Sequence, residues 1–230
     1  MKEAFQTLAM YFTLRRMGIR FKYVYILYFF SPIILYSGFM HGQLDVIPTT
    51  FLLAAIYHLV EWREERNILK SALFLGLSLS SKFHIAACLP ILFFYIAKKK
   101  DYGSAFRYLM ITAILPFIFC VPFYGEGFVN TVFFNKEQNV LLQVGIEYGS
   151  VYLLLPILAV MIIYLKVYEL EYFNRDLLFS MTGVLFAVFL ICIPAAPAWF
   201  TWIVPFIVLY FGYATNGRYK VLYLFAVFNA

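Results

Sequence analysis

Long apolar stretches recur along the whole chain and are separated by short polar gaps. Several of them approach the roughly 20 residues that a membrane-spanning helix needs. The pattern therefore predicts an all-α fold, a polytopic bundle of transmembrane helices that forms a single domain over residues 1–230. The stretches lie at about residues 4–14, 23–39, 46–60, 68–97, 106–123, 151–168, 177–193, 199–213 and 219–230.

The composition agrees with a membrane protein. Hydrophobic residues make up 64% of the chain and charged residues 13%, whereas average proteins are about half apolar and about a quarter charged. The formal net charge is +6, but basic residues in a membrane protein first report orientation, so a nucleic-acid partner is not indicated. The three cysteines lie in apolar stretches without metal-ligand spacing, and we interpret them as small buried hydrophobic residues.

The basic residues cluster in alternate gaps between the apolar stretches. Only Lys2, Lys82 and Lys136 lie outside these clusters. By the positive-inside rule the clusters face the cytoplasm, and the remaining gaps face the opposite side, called the outer side below. The clusters comprise Arg15, Arg16, Arg20, Lys22, Arg63, Arg66, Lys70, Lys98, Lys99, Lys100, Arg107, Lys166, Arg175, Arg218 and Lys220.

The apolar stretch 68–97 joins two basic gaps, so the charge rule favours a hairpin that enters the membrane and returns. Two arms of about 13 residues would each rise about 20 Å, less than the roughly 30 Å hydrocarbon core. The tip, Ser80-Ser81-Lys82-Phe83-His84, would then stay at membrane depth, where a lysine is tolerated only inside protein or beside a wet cavity. The alternative is one long tilted helix whose Lys82 pairs with a neighbouring carboxylate.

A histidine, an amide and a carboxylate lie together in the outer segment His41-Gly42-Gln43-Leu44-Asp45. If residues 41–45 begin a helix, His41 and Asp45 share a face and could bind one ligand or metal. Gly42 would then allow a ligand to approach closely. Alternatively, Asp45 only caps a helix that begins near Val46. The sequence leaves both interpretations open.

The longest outer segment, residues 124–150, is predicted to contain interfacial helices and could form a lid over a site. We interpret its glutamates as solvated carboxylates. A short outer turn holds Trp199 and Trp202, which is typical of the aromatic belt at a membrane interface. Alternatively, one of these indoles stacks on a sugar ring or a lipid. The loop glutamates are Glu126, Glu137 and Glu147.

Three short motifs in this order resemble the GT-C family of polytopic membrane glycosyltransferases. The segment 41–45 is similar to the GQxD element of bacterial relatives of the GPI mannosyltransferases. Leu75-Gly76-Leu77, with Ser81-Lys82 and Pro90, is similar to their glycine, lysine and proline segment. Residues 198–205, Ala-Trp-Phe-Thr-Trp-Ile-Val-Pro, are similar to their late aromatic element. The resemblance covers about residues 4–213.

The resemblance implies a transferase that moves a mannose-like hexose from a polyprenyl-phosphate carrier to a hydroxyl of a lipid or glycan acceptor. It implies a multi-pass protein in a bacterial cytoplasmic membrane, surrounded by membrane lipids, with its site on the outer side. In this interpretation Lys82 and His84 bind the phosphate, His41 and Gln43 contact the sugar or the phosphate, and Asp45 supports them. No cofactor is certain, although a divalent metal could take part. We expect the chain to be incomplete at both ends, with the acidic catalytic base before Met1 and no activity as written.

Two other classes remain open. A transporter or lipid flippase would also show many spans, proline-interrupted helices and a lysine at membrane depth. That class predicts an internal repeat, but the sequence has no second copy of residues 41–45 or of the Lys82 tip. A purely structural assembly subunit would not need polar groups gathered on one side.

Overall fold

The computed structural model of the chain describes residues 10–12, 15, 24–42, 44–60, 65–132, 144–192 and 197–213. These residues are mostly helical, which confirms the predicted all-α class. The α-helices are α1 (Val24–Phe29), α2 (Pro32–Leu35), α3 (Val46–Leu59), α4 (Glu65–Ser81), α5 (Leu89–Lys99), α6 (Tyr102–Cys120), α7 (Glu126–Val132), α8 (Leu155–Glu169), α9 (Arg175–Cys192) and α10 (Val204–Tyr213). A π-helix (Tyr36–Met40) follows α2, and 3-10 helices lie at Phe83–Cys88, Val121–Phe123 and Pro197–Trp202.

Two helices among the described residues are long and apolar enough to cross a membrane. They cover Tyr102–Phe123 and Arg175–Cys192, with a mean hydropathy of 1.8 each. Two further apolar helices, Val46–Leu59 and Trp199–Tyr210, are shorter. These two helices indicate that the protein is associated with a membrane.

Helices α3 and α4 form one packed pair in the core. The Ser78 hydroxyl of α4 donates a hydrogen bond of 2.6 Å to the carbonyl oxygen of Pro48 in α3. Towards the other end of the pair, His58 stacks on Phe74 with ring centroids 5.5 Å apart. Because the start of α3 meets the end of α4, the two helices run antiparallel. His58 therefore packs within the helix pair.

The chain reverses direction at Lys82. Helix α4 ends at Ser81, and Lys82 takes an extended backbone conformation, with φ −158° and ψ 132°. An ion pair between Glu65 and Lys100 joins the start of α4 to the residue after α5. The two arms are therefore antiparallel, as a hairpin requires, and one long helix over residues 68–97 is excluded. Helix α4 is 17 residues long, so this arm is longer than the predicted 13.

Helix α6 packs along α4 through a close backbone approach. Ser71 and Tyr108 share a hydrogen bond of 3.0 Å between their hydroxyls. A Cβ atom at Gly76 would lie 2.9 Å from the carbonyl oxygen of Thr112. Pro116 has no N–H to offer this carbonyl, which would normally accept a hydrogen bond from the residue four positions later. Gly76 thus lets α4 approach α6 closely at the turn where the Thr112 carbonyl oxygen receives no hydrogen bond from Pro116.

The described basic segments meet at one end of the molecule. The Lys98 ammonium donates hydrogen bonds to the carbonyl oxygens of Tyr168, at 2.7 Å, and Leu170. Lysine near a helix C-terminus satisfies carbonyls that lack intrahelical donors and complements the helix dipole. Lys100 pairs with Glu65 at the same end. Three basic gaps therefore share one side, as the charge pattern predicts, although which side faces the cytoplasm remains a prediction.

Helix α6 begins at a capped N-terminus. The Asp101 carboxylate accepts hydrogen bonds from the Ser104 backbone N–H, at 2.7 Å, and from the Ser104 hydroxyl, at 2.8 Å. These bonds favour the ionised form and hold the pKa of Asp101 below its ordinary value. An aspartate in this position satisfies an N–H that has no partner inside the helix.

The outer segment corrects part of the prediction. Residues 124–150 were expected to contain interfacial helices, and in the described part of this segment α7 is the one helix. A two-stranded antiparallel hairpin pairs β1 (Gly145–Tyr148) with β2 (Val151–Leu154). Gly149 has φ +61° and begins the two-residue turn, where such hairpins favour glycine. Residues 133–143, including Glu137, lie outside the described residues.

We predict that Gly76→Ala weakens the packing of α4 against α6. The new methyl group would meet the Thr112 carbonyl oxygen at 2.9 Å and the Leu115 Cβ atom at 3.0 Å, and such overpacking costs about 1–3 kcal/mol. The melting temperature of the purified protein should fall. Gly127→Ala is the matched control, because a Cβ atom there meets nothing within 4 Å. Equal melting temperatures for the two variants would contradict the close approach.

Candidate functional site

The candidate site centres on an ion pair between Asp45 and Lys82. Asp45 is fully buried, while 40% of the Lys82 side chain is exposed. Asp45 precedes α3, and Lys82 lies at the reversal between α4 and α5. Because α3 and α4 are antiparallel, the start of one and the end of the other lie side by side. The fold therefore brings together two opposite charges that are 37 positions apart in the sequence.

The structure corrects both sequence interpretations of Asp45. Helix α3 begins at Val46, and His41 is the residue that ends the preceding π-helix, so the argument that His41 and Asp45 share a helix face is wrong. Asp45 does occupy the N-cap position, but its side chain makes no capping hydrogen bond. Its carboxylate pairs with Lys82 instead. The Asp45 backbone carbonyl accepts a hydrogen bond of 2.8 Å from the Thr49 hydroxyl.

His41 lies at the end of the π-helix rather than beside Asp45 on a helix. Its ring is exposed and stacks on Tyr36, with centroids 6.0 Å apart. Gly42 has φ +67°, a left-handed conformation that glycine adopts without a steric cost. The turn thus accounts for Gly42 without a ligand. Gln43 lies outside the described residues. The π-helix contacts the 3-10 helix Pro197–Trp202, so His41 belongs to a segment next to the two tryptophans.

An aromatic stack adjoins the ion pair. His84 stacks on Trp202 with ring centroids 3.9 Å apart and an interplanar angle of 14°. Trp202 in turn stacks on Trp199 at 5.4 Å and 11°. Phe186 of α9 contacts His84 edge-on at 6.1 Å. The stack joins the hairpin tip to the late aromatic segment, which are the two separated regions that the motif order had singled out.

The two tryptophans differ in exposure. Trp202 is 6% exposed and has a ring partner in both His84 and Trp199. It is therefore part of the core and does not belong to an interfacial belt. Trp199 is half-buried, so it is the indole with surface left for another ring. The sequence did not reveal Phe186, because a phenylalanine in an apolar helix carries no local signal of a site.

Two buried nitrogens border the ion pair. His84 Nε2 and Trp202 Nε1 are buried without a hydrogen-bond partner among the residues that the structure describes. Buried polar groups are nearly always hydrogen-bonded, and an indole N–H usually finds an acceptor. His84 is buried close to both charged groups, the Asp45 carboxylate and the Lys82 ammonium. A polar ligand at this place could accept from the indole and exchange a hydrogen bond with the imidazole.

The remaining candidate residues do not join this site. Glu147 is exposed on β1, and Glu126 is exposed at the start of α7, as solvated carboxylates would be. Within the described part of the chain, no three histidine, cysteine, aspartate or glutamate side chains form a group that could hold a metal ion. The divalent metal that the family resemblance allowed therefore has no ligand set among these residues.

No family model, curated protein or solved structure matches this chain. The resemblance to GT-C enzymes rests on the sequence motifs alone.

We predict that removing either charge of the ion pair destabilises the protein more than removing both. Lys82→Gln leaves a buried carboxylate without its cation, at a cost that reaches about 3 kcal/mol or more for buried pairs. Asp45→Asn should cost less, because Lys82 is partly exposed. The double variant Asp45→Asn/Lys82→Gln should recover most of the loss.

The measurement is thermal unfolding of all three variants, combined as a double-mutant cycle. Ser81→Ala is the control, since Ser81 is exposed and its hydroxyl bonds only within its own helix turn, to the Leu77 carbonyl oxygen. Strictly additive losses would show that the two charges are not coupled.

Proposed function

We propose that this chain is part of a polytopic membrane glycosyltransferase. It would move a mannose-like sugar from a polyprenyl-phosphate carrier to a hydroxyl of a lipid or glycan acceptor on the outer side of the membrane. The observation that carries the proposal is the Asp45–Lys82 ion pair beside the stack of His84, Trp202 and Trp199. Three residue types that suit a sugar phosphate, an ammonium, an imidazole and an indole, meet there.

The exposed apolar surface of the helix Tyr102–Phe123 supports the proposal that this helix is embedded in lipid. Only 11% of the most apolar window of the helix Tyr102–Phe123 is buried, so this helix is not the core helix of a soluble protein. Phe106 is 60% exposed, Met110 69% and Phe117 72%. Soluble monomers seldom expose such a continuous apolar surface, whereas a lipid-facing helix does so along its length. The shorter apolar helices would complete the proposed bundle.

The position of the site supports its orientation. Helix α4 runs from Glu65, at the basic end, to Ser81, next to the ion pair. Its 17 residues separate the two ends by about 25 Å, at 1.5 Å per residue. If the basic end faces the cytoplasm, as the positive-inside rule requires, the ion pair lies in the outer part of the roughly 30 Å hydrocarbon core. This is nearer the outer surface than the 13-residue arm predicted from the sequence would place it. A lipid carrier in the outer leaflet could reach it there.

Lys82 would bind the carrier phosphate. An ammonium has three donors, and the partly exposed Lys82 can retain Asp45 while it donates to a phosphate oxygen. The carboxylate would hold the ammonium in place, so the cation would already be positioned where negative charge develops on the departing phosphate. Asp45 itself is buried and paired, which makes it a positioning residue rather than a general base.

The aromatic residues would bind the sugar. Trp202 Nε1 can donate a hydrogen bond to a hydroxyl or phosphate oxygen, and His84 Nε2 can donate or accept according to its tautomer. The half-buried Trp199 offers a ring face to the apolar face of a sugar. His41, exposed on the neighbouring segment, could contact sugar hydroxyls at the rim. The chemistry of these four side chains is thus consistent with the sugar-binding roles that we propose for them.

We predict that the double variant Asp45→Asn/Lys82→Gln folds but transfers sugar poorly. It has no buried unpaired charge, yet it lacks the cation for the phosphate, so transfer should fall by about 100-fold or more, the usual cost of removing one transition-state donor. Membranes containing the full-length protein, of which we propose this chain is a part, would be assayed with radiolabelled polyprenyl-phosphate mannose and an acceptor lipid. Ser81→Ala should transfer within about twofold of the unmodified protein.

Two outcomes would refute the proposal. Full transfer by the double variant would show that the ion pair has only a structural role. Movement of polyprenyl-phosphate lipids between leaflets without any sugar transfer would identify a flippase instead.

We predict that His41 and Tyr172 are reached from opposite sides of the membrane. His41 is exposed beside the candidate site, and Tyr172 is 80% exposed at the basic end. Single cysteines at these positions, with Cys88, Cys120 and Cys192 replaced by alanine, would be treated with a membrane-impermeant maleimide. Intact cells should label the thiol at 41, and the thiol at 172 should react only after permeabilisation. Labelling of both in intact cells would contradict the proposed orientation.

A further inference from the structure

A small cavity lies between α4 and α6 at the basic end of the molecule, away from the candidate site. Its volume is about 270 Å³. Arg66 and Arg107 stand on its walls, and Ile68, Leu69 and Ile111 provide an apolar lining. Sites for drug-sized ligands have volumes of about 300–1,000 Å³, so this cavity suits a smaller group. The sequence analysis had assigned both arginines only to the charge pattern.

Arg66 and Arg107 supply the positive charges among the residues that line the cavity, and Glu65 supplies one negative charge. The other polar groups on its walls already have partners: Glu65 pairs with Lys100, and the Ser104 hydroxyl donates to Asp101. Tyr108 shares its hydroxyl with Ser71. Neither Arg66 nor Arg107 forms an ion pair with any carboxylate in the described part of the chain. Among the described residues, the cavity is therefore lined by two arginines without a counter-ion and by apolar side chains.

We propose that this cavity binds the phosphate of an anionic phospholipid headgroup. Guanidinium groups bind phosphate oxygens in a bidentate fashion, more specifically than ammonium groups do. The apolar floor suits the glycerol and the first methylenes of the acyl chains, which a free phosphate ion lacks. The inference does not depend on sugar transfer. It needs only that the basic end lies at a membrane surface, where basic pockets between helices bind anionic headgroups.

The location also fits the headgroup layer. Arg66 lies in the first turn of α4, and Arg107 lies in the second turn of α6. From this end α6 continues into the apolar, exposed part of the helix Tyr102–Phe123. A phosphate between the two arginines would therefore lie just above the apolar band, with its acyl chains running beside Phe106 and Met110, which are 60% and 69% exposed. One lipid would then contact both the charged walls and the apolar helix.

The test compares lipid binding by the purified protein and by a variant without the two charges. Arg66→Gln/Arg107→Gln is the test variant, and Lys166→Gln/Arg175→Gln removes the same charge from the same end outside the cavity. Native mass spectrometry would measure the binding of phosphatidylglycerol, with phosphatidylcholine as the neutral comparison. Inorganic phosphate would be added separately, and its binding read from the shift in melting temperature.

The proposal expects phosphatidylglycerol to bind the unmodified protein and the control at least tenfold more tightly than it binds Arg66→Gln/Arg107→Gln. Phosphatidylcholine and inorganic phosphate should bind at least tenfold more weakly than phosphatidylglycerol. Ile111→Trp keeps both arginines and narrows the cavity, so it should also weaken phosphatidylglycerol binding. Melting temperatures without lipid establish that each variant folds.

Equal phosphatidylglycerol binding by the two double variants would overturn the proposal, because the cavity would then contribute no more than any basic surface. Inorganic phosphate that binds as tightly as phosphatidylglycerol would also overturn it, by identifying a free anion as the ligand.

Discussion

The pairing of a buried aspartate with a lysine at a helix break determines much of this structure. Asp45 is fully buried, and leaving its carboxylate without a cation would cost several kcal/mol. The chain therefore has to bring Lys82 next to the start of α3, which fixes α3 antiparallel to α4 and places the reversal of the hairpin at Lys82. The stack of His84 on Trp202 follows from that reversal, because His84 is only two residues from the break.

The sequence was informative where a pattern had one physical explanation. Alternating basic gaps predicted that residues 68–97 turn back, and the Glu65–Lys100 ion pair at the open end of the hairpin agrees with this. The motif order singled out Asp45, Lys82 and Trp202, and His84 was added as a neighbour of Lys82 at the hairpin tip; the structure gathers these four residues in one place. Helix class followed from the long apolar stretches. The hairpin and the helix class were inferred from charge and length, which do not depend on detailed packing.

Other features could not be read from one sequence. A residue before a helix can cap it or bind a distant partner, and only the antiparallel packing of α3 and α4 decides that Asp45 pairs with Lys82. The apolar residues of β2 resemble the start of α8, and their pairing with β1 depends on the turn at Gly149. The contact of Phe186 with His84 and the cavity lined by Arg66 and Arg107 each join elements that are distant in sequence. No local sequence pattern could therefore predict them.

The ion pairs at both ends of α4 have a consequence for how this segment can vary. Glu65 is held by Lys100 and Lys82 is held by Asp45, so the helix is anchored at its first residue and directly after its last. Adding or deleting one residue between these anchors would rotate everything beyond it by about 100° and shift it by about 1.5 Å. The ammonium would then point away from the carboxylate. The two ion pairs therefore constrain the length of α4 as well as the identity of its charged neighbours, so natural variants should replace residues here rather than insert or remove them.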